Sequence, residues 1–428
     1  MIATAIILLL VLIVLSLPVG AALGVLGLAL DPLFSMLPLS RAMGELAWST
    51  GNEFLLVAIP LFILLGEILL RAGFAERMYG AMAQWLSWLP GGLMHANIGA
   101  STLFAATSGS SVATAATVGT VAIPQIKRHG YNEPLFLGSI AAGGTLGILI
   151  PPSINLVIYG VLTNSSVPKL YLAGIIPGFL LALLFMVVVG VACTVKPEWG
   201  GHRTRATWGE RIAGLQHLLP PLGIFLMVVG SIYAGLATPT EAAALGVLGA
   251  LILAAFFRKL TFRMLRDAVE GTMKSTAMIM LIVIAASFLN FIMSAIGLTD
   301  ALTRSITGLG LSPGWMLLVL VIFYVILGCF METLSMMIVT IPLVAPIMTQ
   351  LGFDPIWLGI VIIVLVETAL ITPPVGLNLF VINGITPDVS LFTILKGAFP
   401  FMMCMVVAIV ILCVFPELAT WLPSKVMG

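Results

Sequence analysis

Two apolar segments of this chain are too long for one regular membrane helix, and each carries a proline pair near its middle. Pro151-Pro152 lies in 132–163 and Pro373-Pro374 in 355–385. Proline removes a backbone donor and its ring clashes with the preceding turn, so two in succession break a helix. The surroundings are lipid: 61% of the residues are hydrophobic and 8% charged, where soluble domains carry about 25% charged residues. In lipid, freed backbone groups persist only where protein or a water-lined cavity satisfies them. Whatever this chain builds, it has to build around two breaks.

The breaks stand 222 residues apart, and much else repeats at that spacing. Ala22-Leu23-Gly24-Val25-Leu26-Gly27 recurs as Ala244-Leu245-Gly246-Val247-Leu248-Gly249, Pro124 meets Pro346, and Gly130 meets Gly352. Leu172-Ala173-Gly174-Ile175-Ile176-Pro177 meets Leu395-Lys396-Gly397-Ala398-Phe399-Pro400 at 223. A collinear series of this kind is an internal repeat, with halves 1–195 and 218–428 joined by a cytoplasmic linker, 196–217.

A span takes about 20 apolar residues. Besides the broken segments, 2–16, 19–34, 54–70, 170–194, 218–237, 240–257, 275–294 and 397–416 qualify, the first two being short and sharing a break at Pro18. The apolar start lacks a basic leader and a small-residue cleavage site, so it reads as a retained span rather than a signal peptide. Segments 92–127 and 315–349 read as re-entrant apolar hairpins with polar middles, Ser108-Gly109-Ser110-Ser111 and Glu332-Thr333 with Ser335. Each half then has five crossings: three spans, the broken helix and a final span. Five is odd, so the second half is inverted relative to the first.

Basic residues orient the chain. If 92–127 enters from the cytoplasm, only Arg41, Lys169, Arg304 and Lys425 of the 18 Lys and Arg fall outside it. Segments 72–90 and 295–312 are mixed in polarity. In the first, Phe74, Met78, Met82, Trp85 and Leu89 recur opposite Glu76, Arg77 and Gln84, the pattern of a helix lying in the interface. The expected fold is an all-α polytopic membrane protein with two inverted-topology repeats, each holding a re-entrant hairpin and a Pro-Pro-broken transmembrane helix.

Inverted repeats with discontinuous helices are a common plan of secondary transporters, whose sites lie near the midplane at the breaks. No nucleotide-binding P-loop is present, so the chain does not itself use ATP. A net charge of +1 gives no global field for nucleic acid. His95, His129, His202 and His217 form no i, i+4 pair, which speaks against zinc or haem, and Cys193, Cys329, Cys404 and Cys413 read as reduced core residues. A membrane enzyme would need His, Asp or Glu clustered at one interface, and none is seen; no organic cofactor is expected.

At each break, carbonyls from one half-helix suit a cation such as Na⁺ and amides from the other suit a carboxylate. The first candidate site joins Ser108, Ser110, Ser111 and Thr114 to Gly144, Thr145, Gly147, Pro151, Ser153 and Asn155. The second joins Gly328, Glu332, Thr333 and Ser335 to Thr368, Thr372, Pro373, Val375, Gly376 and Asn378. A single Ser or Thr in a span more often permits close packing. Clustered at a hairpin tip, facing a break and repeated by symmetry, they read as ion ligands. Glu67, Glu332 and Glu367 are carboxylates in apolar surroundings, where charge is costly and usually functional. Glu367 reads as a structural or coupling residue, Glu67 as near the interface, and Glu241, after Pro239, as a first-turn capping acid.

With these features located, the sequence resembles the large membrane subunit of tripartite ATP-independent periplasmic (TRAP) transporters, the DctM-like family. The resemblance covers nearly the whole chain and is carried by 109–115, 147–153 and 173–178 in the first half, and by 237–243 and 372–379 in the second. It implies a bacterial inner-membrane permease that works as an elevator with a separate small DctQ-like subunit. A periplasmic binding protein would deliver an organic acid, such as a C4-dicarboxylate or a sialic acid, and a Na⁺ gradient would drive uptake. By motif it implies one Na⁺ site at Ser108, Ser110, Ser111 and 144–152, and another at Gly328 with Thr372 and its neighbours. The solute would lie between the hairpin tips, at Ser111, Thr114, Ser153, Asn155, Ser335, Gly376 and Asn378. A self-sufficient ion-coupled anion or dicarboxylate exchanger of similar architecture is the alternative.

Overall fold

The computed structural model describes residues 1–15, 17–202, 206–308, 310–328 and 331–427. Cys329, Arg203 and Arg205 therefore lie outside the described residues, as does the side chain of Ser108. The chain is helical, and among the described residues the only β-type pairing is an isolated bridge between Tyr131 and Gly200.

One group of helices comes from the front of each half: Ile2–Val14, Val19–Phe34 and Ala58–Arg71 from the first, and Trp208–Tyr233, Pro239–Phe256 and Phe262–Ala295 from the second. The long helix Phe262–Ala295 packs on Val19–Phe34 and Ala58–Arg71 through a seam of small residues. A Cβ on Gly20 would stand 3.0 Å from Leu281, and one on Gly27 would stand 2.8 Å from Phe288. Without a hydrophobic driving force between helices in lipid, close approach of this kind supplies the dispersion contacts that hold the seam. Trp208–Tyr233 and Pro239–Phe256 both begin with capping boxes, Thr207 with Glu210 and Thr238 with Glu241. Glu241 is thus the capping acid its position implied.

The remaining helices surround the two breaks. The first hairpin has arms Leu93–Ser108 and Ser111–Ala122, and the first broken helix runs Glu133–Leu149 and Ile154–Thr163 with a 42° bend. The second hairpin has arms Pro313–Leu327 and Thr333–Gln350, and the second broken helix runs Pro355–Ala369 and Leu377–Ile385. Val167–Val195 and Leu391–Val414 close the two halves. The leading segment of each broken helix is buried on every side over its last turns, 135–149 and 357–369, as an all-round apolar helix at the centre of a bundle must be. Glu133–Leu149 crosses Leu391–Val414 main chain to main chain, at Gly138 and Gly397.

The trailing segment of each broken helix packs against the hairpin of the other half. Leu377–Ile385 lies on Ser111–Ala122, and Ile154–Thr163 lies on Thr333–Gln350. The two breaks are not copies. Pro151 and Pro152 are buried, whereas Pro373, Pro374 and Val375 are exposed in a longer interruption.

Several elements depart from expectation. The helix expected from 218 begins at Trp208, because the polar turns before it are held by the Thr207 capping box and by Arg211 stacked 5.0 Å over Trp208. Met43–Gly51 and Glu417–Met427 are helices in stretches read as connections, the first having no apolar periodicity long enough to announce it. By length and composition, seven described helices suffice to cross a membrane, or eight with the bent pair. The first two helices and Pro355–Ala369 are shorter, because prolines or breaks cut them. Thr333–Gln350, read as a hairpin arm, is long enough at 18 residues to cross alone. The segments read as interfacial form Phe74–Leu86 and Leu298–Thr307. Phe74 and Met78 of the former are buried, and that helix packs on Leu93–Ser108 and Trp208–Tyr233.

Candidate functional site

The first hairpin turns at Gly109, whose φ of +59° a residue with a Cβ adopts reluctantly. Ser110 then caps Ser111–Ala122, its hydroxyl accepting from the Ala113 amide at 3.4 Å, while the Thr114 hydroxyl donates to the Ser110 carbonyl at 2.7 Å. This tip lies on the glycine face of the first broken helix. A Cβ on Gly147 would stand 2.8 Å from the Ser110 carbonyl, and one on Gly144 would stand 3.1 Å from that of Ser111. Ser110 and Ser111 are therefore brought against Gly147 and Gly144. Thr145 is buried, but its hydroxyl donates to the Ala142 carbonyl of its own helix. Pro151 is buried, and Ser153 caps Ile154–Thr163 by accepting from the Leu156 amide.

The second hairpin meets its own broken helix where Gly328 packs against Ala369, with no room for a Cβ between them. Glu332 sits at the N-terminus of Thr333–Gln350 and accepts from the Ser335 hydroxyl at 3.1 Å; Thr333 and Ser335 are buried. The Thr368 and Thr372 hydroxyls donate to carbonyls one turn back, at Val364 and Thr368. Val375 beyond Pro373 is exposed, and Gly376, with φ +51°, opens the trailing segment.

Among the described residues, three of the candidate site's side chains reach across between the halves. The Ser111 hydroxyl lies 2.8 and 2.9 Å from the two carboxyl oxygens of Glu367, which is fully buried. The Asn378 amide donates to the Ala141 carbonyl at 3.1 Å, and that of Asn155 contacts the Met337 sulfur at 3.3 Å. Each asparagine thus stands with the half opposite its own, where sequence order had grouped it with its nearer hairpin. The sequence marks Glu367 as an intramembrane acid, but its approach to the first hairpin has no trace in sequence order: the contact spans 256 positions.

A cavity of about 570 Å³ lies between the two tips and the helices Val19–Phe34, Ala58–Arg71 and Phe262–Ala295, within the ~300–1,000 Å³ range of small-ligand sites. Ser111, Asn155 and Ser335 of the expected solute residues line it; Thr114, Ser153, Gly376 and Asn378 do not. Glu332 and Glu67 add two carboxylates, and Glu67 is paired with Arg71 at 2.8 Å. Among its described lining residues there is no Lys, Arg or His. The walls are otherwise apolar, so the polar groups converge on a few hydroxyls, an amide and acids. No group of three or more His, Cys, Asp or Glu among the described residues is placed to hold a metal.

A multi-pass helical membrane protein with broken helices and hairpin tips around one small cavity is a transporter by class. The family model for the tripartite ATP-independent periplasmic transporter, DctM component, matches residues 6–418. The C4-dicarboxylate TRAP transporter large permease protein DctM of Pseudomonas aeruginosa is 36% identical over 395 residues, 90% of either chain. The sialic acid TRAP transporter large permease protein SiaM of Vibrio cholerae is 30% identical, covering 96% of both. The chain belongs to the DctM family of TRAP transporter large permease subunits. Its fold is also similar to that of the Alcanivorax borkumensis YdaH transporter, a crystal structure with an unusual topology, at a TM-score of 0.60 and 18% identity, over 98% of this chain and 99% of that one.

Proposed function

We propose that this subunit imports a small organic carboxylate across the bacterial inner membrane, coupled to Na⁺, by elevator movement of the hairpins and broken helices against the scaffold. A small DctQ-like subunit and a periplasmic binding protein complete the system; one relative, the isethionate permease DctMQ, carries both letters of the membrane pair in its name. The observation that carries the reading is the cavity: it touches both hairpin tips and is lined by hydroxyls and acids, with no cationic side chain among its described lining residues. An anionic solute needs positive charge there, and a bound cation at each tip supplies it. Serine oxygens and main-chain carbonyls at a glycine-lined break are hard donors suited to a monovalent ion.

The positive-inside orientation puts the scaffold wall of the cavity, Glu67 one turn before Arg71 and Ser275 beside Lys274, at the cytoplasmic end. That reading makes this a state open to the cytoplasm, in which Ser110, Ser111 and Ser335 release solute inward. The test is uptake into vesicles containing the chain, its small subunit and its binding protein. Ser110→Ala and Thr372→Ala are each expected to raise the Na⁺ needed for half-maximal uptake several-fold while insertion stays normal. Wild-type Na⁺ dependence in both variants would remove the site assignments.

A further inference from the structure

We infer that the cation site at the first hairpin is completed from the opposite half of the chain, Glu367 supplying its fixed negative charge and Asn378 a side-chain oxygen. The inference rests on the Na⁺ reading proposed above and names the ligand set of that site.

Glu367 is fully buried, and its only side-chain partner among the described contacts is the Ser111 hydroxyl. One hydroxyl carries one proton, so it satisfies one carboxylate oxygen at a time. The described ion pairs are Arg71 with Glu67 and Lys274 with Glu270, neither of which reaches this point. An interior carboxylate with so little compensation is expensive, and a cation beside it removes the cost. A second observation points to the same gap. Asn378 is also fully buried; its amide nitrogen is used on the Ala141 carbonyl, and its Oδ1 has no partner. A Cβ on Gly144 would lie 3.0 Å from the Asn378 nitrogen and 3.1 Å from the Ser111 carbonyl, so amide and carbonyl flank one glycine. Ser111 Oγ meets the Glu367 carboxylate, and the Ser111 carbonyl and the Asn378 amide meet at Gly144, so polar groups from three elements gather at the first tip.

The repeat strengthens the case. At the 222-residue spacing, Glu367 corresponds to Thr145, whose hydroxyl is spent on its own helix. A packing role at this position is met by threonine in the first half; the acid in the second half adds charge. By the same spacing Glu332 corresponds to Ser110. Each hairpin tip therefore has one carboxylate, and both come from the second half.

The test is thermal unfolding of the purified chain with its small subunit, titrated with NaCl against choline chloride at constant ionic strength, together with ²²Na⁺ binding. Glu367→Gln keeps the shape and removes the charge. It is expected to raise the Na⁺ for half-maximal stabilisation about tenfold or more and to cost one tightly held ²²Na⁺ per chain, without lowering the melting temperature in choline. Asn378→Ala is expected to move the same midpoint less, and it carries the test if Glu367→Gln does not fold. Wild-type Na⁺ titrations in the variants overturn the inference. So does a lower melting temperature in choline with the Na⁺ response intact, which marks a purely structural contact. A wild-type protein indifferent to Na⁺ would instead remove the sodium reading itself.

Discussion

Gly138 and Gly397 show what a single residue decides here. A Cβ on either would overlap the main chain of the opposing helix, and neither backbone has a flexible end to give way. Overpacking a well-packed site costs about 1–3 kcal/mol, and a backbone collision belongs at or above the top of that range. Gly397→Ala is expected to lower the melting temperature of the purified subunit by several degrees, whereas Gly44→Ala, whose Cβ would meet nothing within 4 Å, is expected to leave it unchanged. Equal effects of the two would refute the close crossing. The same scale holds the cross-half contacts of Ser111, Asn155 and Asn378. Their residue types were legible as polar groups near breaks; their partners were not, because hydrogen bonds between positions some 200 apart leave no local pattern.

At the scale of elements, the hairpin and broken helix work as a pair. Gly147 is where the first tip rests on the helix beneath it, with room for no side chain between the glycine and the Ser110 carbonyl. Gly147→Ala is expected to lift the tip, spreading the carbonyls of the proposed ion site. Uptake in reconstituted vesicles should then need several-fold more Na⁺, while a helical circular-dichroism spectrum stays as in the wild type. An unchanged Na⁺ requirement would show that the tip does not depend on this contact. Element boundaries followed from proline and apolar length: hairpin one, expected over 92–127, spans Leu93–Ala122, and the first break falls where Pro151-Pro152 put it. The early start of Trp208–Tyr233 was hidden, because a capping box stabilises a polar turn that hydropathy counts as linker.

At the scale of the whole molecule, a cavity lies between the two hairpin tips and the helices Val19–Phe34, Ala58–Arg71 and Phe262–Ala295. Its wall at Ser275, beside Lys274, which the proposed orientation puts on the cytoplasmic side, makes an accessibility prediction. In a background without other cysteines, Ser275→Cys is expected to react with a membrane-impermeant thiol reagent applied from the cytoplasmic face and to be spared from the outer face. Labelling from the outer face alone would reverse the assigned orientation. The apolar surface of the chain belongs to the same scale. Ranks of large exposed side chains such as Leu245, Leu248, Ile252 and Phe256 lie along single helix faces, as expected where lipid or a second subunit is the solvent.

The amino-acid order determined that the chain lives in lipid, that motifs recur along it at a spacing of 222 residues, and where its helices break. Those are properties of local composition and of spacing along one dimension, which proline chemistry and hydropathy register directly. The tertiary structure alone decided that each break's trailing helix packs on the other half's hairpin, and that Glu367 meets Ser111 across the repeat. Those pairings are set by how helices stack in three dimensions. Close approach depends on glycines facing one another across a crossing, and sequence spacing does not record which face meets which.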